Sequence, residues 1–268
     1  MIHSSAAVAE SAVVADDVDI GPYTVIGDHV EIGAGTRIDS HVVINGPTRI
    51  GEDNHIYQFA SIGDDPQDKK YRNEETSLEI GNRNTIREYC TISRGTVQDA
   101  GVTRLGDDNW IMAYVHIAHD CRIGNKTIMA NNTTLAGHVH VGDWAIFAGF
   151  AGAHQYCHIG AHSFLGMYSG VNQDVPAYVM VFGLPGAPAG INSEGLKRRD
   201  FSAEQIRNIK SAYRIVYRNG LKLADAISEI EGLVGDQPEL EIFLDSLKTS
   251  QRGLIRCHGP HTHRHRRW

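Results

Sequence analysis

The sequence predicts an all-β solenoid: a left-handed parallel β-helix of hexapeptide repeats with a C-terminal α-helical domain. Three observations predict it. An aliphatic residue falls at every sixth position over most of the chain, a small residue commonly follows it, and the period stops near residue 183, where helical patterns begin.

The aliphatic series runs Ile2, Val8, Val14, Ile20, Ile26, Ile32, Ile38, Ile44, Ile50, Ile56 and Ile62, then resumes at Ile80, Ile86 and Ile92. It restarts one residue out of phase at Leu105 and continues through Ile111, Ile117, Ile123, Met129, Leu135, Val141, Phe147, Ala153, Ile159, Leu165, Val171 and Ala177. Neither a 3.6-residue helix nor an alternating strand has this period. Its natural account is a three-sided prism, with six residues to a face and eighteen to a coil. The aliphatic residue points inward, and Ser, Thr, Ala or Val sits four positions later, as at Ala6, Ala12, Val18, Thr24, Thr36, Thr127 and Thr133. Small residues such as Gly21, Gly27, Gly124 and Gly160 are expected to permit the tight corners. Residues 1–183 are assigned to the solenoid.

The coil turns sequence distance into geometry. Residues eighteen apart lie one above another, which puts His119, Gly137, Gln155 and Gln173 in one column, with His138 and His154 beside it. Insertions near 63–77 and 94–104 leave the coil, and loops that interrupt a regular solenoid are often functional. The first contains Asp68 and Lys70, which suit a polar ligand. Three residues after the inward aliphatic, the positions read as mostly polar in the first half. In the second half they include Tyr114, Trp144, Phe150, Tyr156 and Tyr168, which points to burial against another subunit.

Beyond the solenoid, GLPGAPAG reads as a linker or turn, and 190–256 as the helical domain. Ser202 and Gln205 fit a capping box, Ile206, Ile209, Tyr213 and Val216 form an apolar stripe, and Gly220 is a stop. Further helices are expected at 222–234 and 237–250. Arg207, Lys210, Arg214 and Arg218 share a helix face, either solvated or a dock for an acidic partner. The His- and Arg-rich tail 257–268 reads as disordered.

Composition excludes other classes. The net charge is −7, which argues against nucleic-acid binding. Four cysteines without a CxxC pair indicate no disulfide framework. No signal peptide or membrane-length apolar run is evident, so a cytoplasmic location without stable membrane insertion is expected.

The segments IYQFASIG, QDKKY, NTIREYCTISRGT, HIAHDC, ANNTTLAGHV, IGAHSF, QDVPAYV and EGLKRR together resemble the UDP-N-acetylglucosamine O-acyltransferases of lipid A biosynthesis. The resemblance runs to RGLIR at 252–256. It implies a homotrimer with active sites between subunits, which transfers an (R)-3-hydroxyacyl chain from acyl carrier protein to the 3-hydroxyl of UDP-N-acetylglucosamine. A sugar hydroxyl needs a general base. His119 matches that base, Asp120 the carboxylate that orients it, and Gly137 the backbone N–H that meets the oxyanion. Asp68, Lys70, His116 and His138 resemble sugar- and phosphate-site residues. His154 and Gln155 resemble nucleotide-site residues, and Asn192, Glu194, Arg198 and Arg199 resemble the nucleotide and carrier region. No cofactor and no metal is implied. Cys121, two residues from His119, sits at a small-residue position and reads as packing.

Two departures bear on specificity. The family's HRGT motif reads Ser93-Arg94-Gly95-Thr96 here, which loosens the distinction between a 3-hydroxyl and a 3-amino acceptor. Met167 occupies a position resembling the acyl-chain ruler. It lies 48 residues from His119, roughly 13 Å along the axis, which implies a 3-hydroxydecanoyl-type donor. The alternatives are a zinc-dependent trimer of the γ-carbonic-anhydrase type and the related N-acyltransferase. The first needs an H-x-x-x-x-H pair, which the solenoid lacks. The second carries an extra N-terminal domain, whereas the repeats here begin at residue 2.

Overall fold

A computed structural model describes residues 1–256. Expectations for 257–268 lie outside the described residues. Short strands wind as a left-handed parallel β-helix, and the described ones fall into sheets of nine, eight and ten. Face one runs from Ala7–Val8 to Gly170–Val171, face two from Val13–Val14 to His158–Ile159, and face three from Asp19–Ile20 through Phe164–Leu165 to Val179–Phe182. Each strand pairs in parallel with the strands one coil before and after it, so the backbone groups of one coil are satisfied by its neighbours. Regular coils advance by eighteen residues, as in Ile20↔Ile38. The offset becomes thirty across the first insertion, Ile62↔Ile92, and twenty-five across the second, Ile92↔Ile117. Both insertions leave from the same corner, between faces one and two.

The inward aliphatics form the core, with Ile26, Ile44, Ile62, Ile92, Ile117 and Leu135 all buried on face one. Burying each such side chain contributes about 1.5–3 kcal/mol. The second inward position is small or apolar in many coils, but several leading into face three hold polar groups that bond to the backbone. Asn54, Asn84 and Asn109 form a ladder in which each Oδ1 accepts from a backbone N–H of the following coil, at 2.8–2.9 Å. A buried amide without such partners would be costly.

The corners correct one expectation. They turn on the third residue after the aliphatic, which takes a left-handed φ of +60° at Tyr23, +59° at Asp120 and +63° at His138. The glycines directly after the aliphatics serve coil-to-coil approach instead. A Cβ on Gly21 would lie 2.7 Å from the carbonyl carbon of Asp39 in the next coil.

The aromatic pattern also starts earlier than the sequence reading had it. At the corner between faces three and one, Tyr23, His41, Phe59, Tyr89 and Tyr114 stack coil upon coil with ring centroids 4.8–5.3 Å apart. Phe150 and Tyr168 continue that corner at 5.0 Å. Tyr156 and Trp144 stand on the other two corners.

The solenoid ends in a hairpin. Ala187–Ile191 pairs antiparallel with Val179–Phe182, so half of the expected linker is a strand. The helical region follows as α1 (Ser193–Lys197), α2 (Ala203–Tyr217), α3 (Leu223–Val234) and α4 (Glu241–Lys248). The Ser202–Gln205 capping box is present at the start of α2. Asp174 ties this region to the prism: its Oδ1 accepts from His158 N–H, and its Oδ2 accepts from Ser250 Oγ and the Gln251 and Arg252 N–H groups. Among the described residues no helix is long and apolar enough to cross a membrane.

Candidate active site

The corner between faces one and two holds a cleft of about 450 Å³. Its walls come from the first insertion (Asp68, Lys70) and from stacked coil residues including His116, His119, Gly137, His138 and Gln155. His116 is an outward residue of the face-one strand His116–Ile117, and His119 follows as that strand turns the corner. The next coil places Gly137 against the His119 ring. A Cβ there would lie 2.4 Å from Cε1 and 2.6 Å from Nε2 of His119, so only glycine leaves the imidazole in place. The Gly137 N–H donates to no group among the described residues.

His119 is buried, and its Nδ1 lies 2.9 Å from Asp120 Oδ2. A carboxylate only accepts, so Nδ1 carries the proton and Nε2 presents its lone pair. Asp120 is held in turn. Its carboxylate accepts from Thr96 N–H at 3.0 and 3.1 Å and from Thr96 Oγ1 at 2.6 Å, and its backbone N–H donates to Thr103 Oγ1 at 2.8 Å. Burial pushes the Asp120 carboxyl up, but the hydrogen bonds from His119 and Thr96 together outweigh it and leave the group below its ordinary value. It therefore stays ionised beside the imidazole. Burial, reinforced by His119, pulls His116 below its ordinary value, and its Nδ1 lies 2.7 Å from Thr91 Oγ1.

The first insertion is braced by Arg94. Its guanidinium donates to Gly63 O at 2.5 Å, to Tyr71 Oη at 3.2 Å and to the Asp65 carboxylate. Within the loop, Asp68 Oδ1 accepts from Lys70 N–H at 2.9 Å. Sequence reasoning named Asp68 and Lys70 but not their support. The only signal for Arg94 and Thr96 was that both lie in the quoted SRGT segment.

Cys121 is fully buried, its Sγ donates to Ala136 O at 3.2 Å, and burial pushes the thiol up to about 12. That is a packed thiol and not a nucleophile. His119, Asp120 and His138 offer ligand atoms within 4.8 Å of one another. The set does not fit a zinc centre, because Asp120 Oδ2 already faces His119 Nδ1 and both Thr96 donors.

Other expected site residues lie outside the cleft within one chain. His154 is exposed beside Gln155 and does not line it. Asn192, Glu194, Arg198 and Arg199 stand at the corner between faces two and three. Asn192 caps α1 and donates to His162 O at 3.0 Å. Glu194 pairs with Lys197 at 2.7 Å. Arg199 lies over the Trp144 ring, 2.9 Å from both His162 Nδ1 and Trp144 O, while Arg198 is exposed. Met167 is exposed at the corner between faces three and one. A prism separates its corners, so residues on different corners of one chain cannot converge.

Residues 103–137 match the bacterial transferase hexapeptide family, described as six repeats. The solenoid and its corner cleft thus define the class, an acyltransferase built on hexapeptide repeats. Residues 174–255 match the second domain of UDP N-acetylglucosamine O-acyltransferase. The chain is 59% identical over 255 residues to the acyl-[acyl-carrier-protein]–UDP-N-acetylglucosamine O-acyltransferase of Thiobacillus denitrificans, covering 95% of this chain and 99% of the relative. The same-named protein of Herminiimonas arsenicoxydans is 56% identical, covering 96% and 99%. The solved UDP-N-acetylglucosamine acyltransferase of Francisella novicida superposes with a TM-score of 0.94 at 46% identity, covering 96% of this chain and 94% of that one. The Moraxella catarrhalis UDP-N-acetylglucosamine O-acyltransferase gives 0.94 at 48% identity, covering 95% and 99%. The chain belongs to the UDP-N-acetylglucosamine O-acyltransferase family.

Proposed function

We propose that this enzyme transfers an (R)-3-hydroxyacyl group from acyl carrier protein to the 3-hydroxyl of UDP-N-acetylglucosamine, the first step of lipid A biosynthesis, in the cytoplasm. The observation that carries the chemistry is the buried His119–Asp120 pair facing the cleft, with Gly137 packed against the imidazole.

The sugar hydroxyl attacks the thioester carbonyl carbon as its proton passes to His119 Nε2. Asp120 stabilises the resulting imidazolium. The tetrahedral oxyanion is met by the Gly137 N–H, a fixed donor with no competing partner among the described residues. Collapse breaks the C–S bond, and the departing thiolate takes the proton back from His119. No covalent acyl-enzyme is needed. Asp68, Lys70, His116, His138 and Gln155 line the same cleft and bind the sugar and its phosphates.

The second group of residues reaches the cleft through assembly. Face three exposes Trp110 and Ile128, face one exposes Val25 and Val43, and the corner between them carries the aromatic stack. A homotrimer with that corner at its axis covers all three. Face three of one chain then meets face one of the next, which brings Asn192, Glu194, Arg198 and Arg199 toward a neighbour's cleft, with His154 at its rim. Arg198 reaches outward to an anionic group, and Arg199 holds the segment against Trp144. Met167 terminates the acyl chain at a 3-hydroxydecanoyl length, roughly 13 Å along the axis from His119.

The test is acyl transfer by His119→Ala with a series of 3-hydroxyacyl carrier proteins. The expected loss in kcat is about 10²–10⁴-fold, and full retention refutes the base assignment. In the same assay Met167→Gly is expected to gain activity with longer donors.

A further inference from the structure

The second insertion directs two side chains back onto the prism. Its turn is closed by the Asp99 and Gly101 N–H groups, which donate to Thr96 O at 3.3 and 3.1 Å. Thr96 grips Asp120. Asp99 reaches further along the corner, with Oδ2 3.2 Å from His138 Nδ1 and Oδ1 3.4 Å from Arg122 Nη2. Because the carboxylate only accepts, the proton of the neutral imidazole sits on Nδ1.

The His138 ring is clamped on other sides as well. It stacks on Tyr156 at 4.3 Å and 7°, and meets His119 edge-on at 5.0 Å. Asp120 does not hold it: Asp120 Oδ2 is 3.8 Å from His138 Nδ1 and already serves His119 and Thr96. Nε2 of His138 has no protein partner among the described residues, and the residue lines the cleft. Two of the three imidazoles lining the cleft, His119 and His138, thus have Nδ1 on a carboxylate of their own. His119 relies on Asp120 from the coil, and His138 relies on Asp99 from the insertion.

We propose that Asp99 is a positioning residue for acyl transfer, fixing His138 as the Nδ1–H tautomer with Nε2 turned to the acceptor sugar. Arg122 steadies Asp99 from the solvent side. The proposal rests on the acceptor assignment above. A group that holds substrate and transition state alike acts mainly on KM, whereas loss of the base acts on kcat.

The experiment is a double-mutant cycle on the purified full chain, with UDP-N-acetylglucosamine as the varied substrate. Asp99→Ala is expected to raise KM about tenfold with kcat within threefold, and Asp99→Glu to recover part of it. In a His138→Ala background, Asp99→Ala is expected to add less than about twofold, because the two residues act as one unit. An unchanged KM in Asp99→Ala, or an effect that multiplies fully with His138→Ala, overturns the proposal. A nitrogen-15 spectrum of His138 reports independently of turnover: Asp99→Ala is expected to shift it toward the Nε2–H tautomer, and an unaltered spectrum overturns the idea. Failure of the wild-type chain to acylate this sugar would instead sink the parent assignment.

Discussion

Two corners of the same prism share a backbone and differ in everything else. Each uses left-handed residues to turn in most of its regular coils. Between faces three and one they are Tyr23, His41, Phe59, Tyr89 and Tyr114 in successive coils, unbroken by any insertion, and the rings stack. Between faces one and two they include Asp120, His138 and Tyr156, and both insertions leave there. A residue at φ > 0 costs roughly 1–2 kcal/mol relative to an ordinary conformation. The aromatic corner offsets this by stacking, each pair contributing about 0.5–1.5 kcal/mol beyond its buried area. The corner with the cleft uses hydrogen bonds instead: Thr96 donates to the Asp120 carboxylate, the Asp120 N–H donates to Thr103 Oγ1, and His138 Nδ1 donates to Asp99. One corner thus carries polar groups around the cleft and the other an aromatic seam.

The largest expected effect separates the two corners by activity. Asp120→Asn keeps a residue that tolerates φ > 0, so the coil is retained, but the amide no longer holds a charge beside the His119 imidazolium. A kcat loss of about 10²–10⁴-fold is expected, with circular dichroism unchanged; a fall below fivefold would show that Asp120 is only a corner residue. Gly137→Ala comes next. Its Cβ would meet the His119 ring at 2.4 Å, so the imidazole must shift. About a 10–100-fold loss of kcat is expected from misplacing the base, with a stability cost of about 1–3 kcal/mol from overpacking. A crystal structure with the ring unmoved would contradict this account.

Acidification probes histidines away from both corner arrays. Burial, with His158 and Arg122 adding to it, pulls His140 down to about 4. Burial, with Arg199 adding to it, pulls His162 down to about 4. Unfolding restores their ordinary value near 6.5, so the unfolded chain binds more protons below that pH. Their contribution is complete above about pH 6.5 and is lost as pH falls toward about 4. A scan of Tm against pH should fall through this window, with a shallower slope in His140→Gln. The smallest effect belongs to the aromatic corner. Tyr89→Asn keeps the left-handed turn and removes one ring from the stack. A destabilisation of about 1 kcal/mol is expected, read by denaturant unfolding, with per-site kcat unchanged in the assembled enzyme. A catalytic defect exceeding that of Gly137→Ala would abolish the contrast between the corners.

Much of the fold was legible because the repeat is local: six residues make a face, and each face buries its own aliphatic residue. The column through His119 and Gly137 followed from counting eighteen, since no insertion falls between them. The glycines were legible as small but misread in purpose, because their constraint is the backbone of the next coil. Asp99 was not legible at all. It lies 39 residues from His138 and inside an insertion, where counting by coils gives no partner.

The sequence by itself therefore determined the solenoid, its inward residues, the His119–Asp120–Gly137 constellation and the family. The tertiary structure decided which corner each residue occupies. It put both insertions and the cleft on one corner, Asn192 through Arg199 on another, and Met167 with the aromatic stack on the third. The reason is physical. A hexapeptide period specifies what points inward, through burial of apolar surface, whereas neighbours across an insertion are set by where the loop closes.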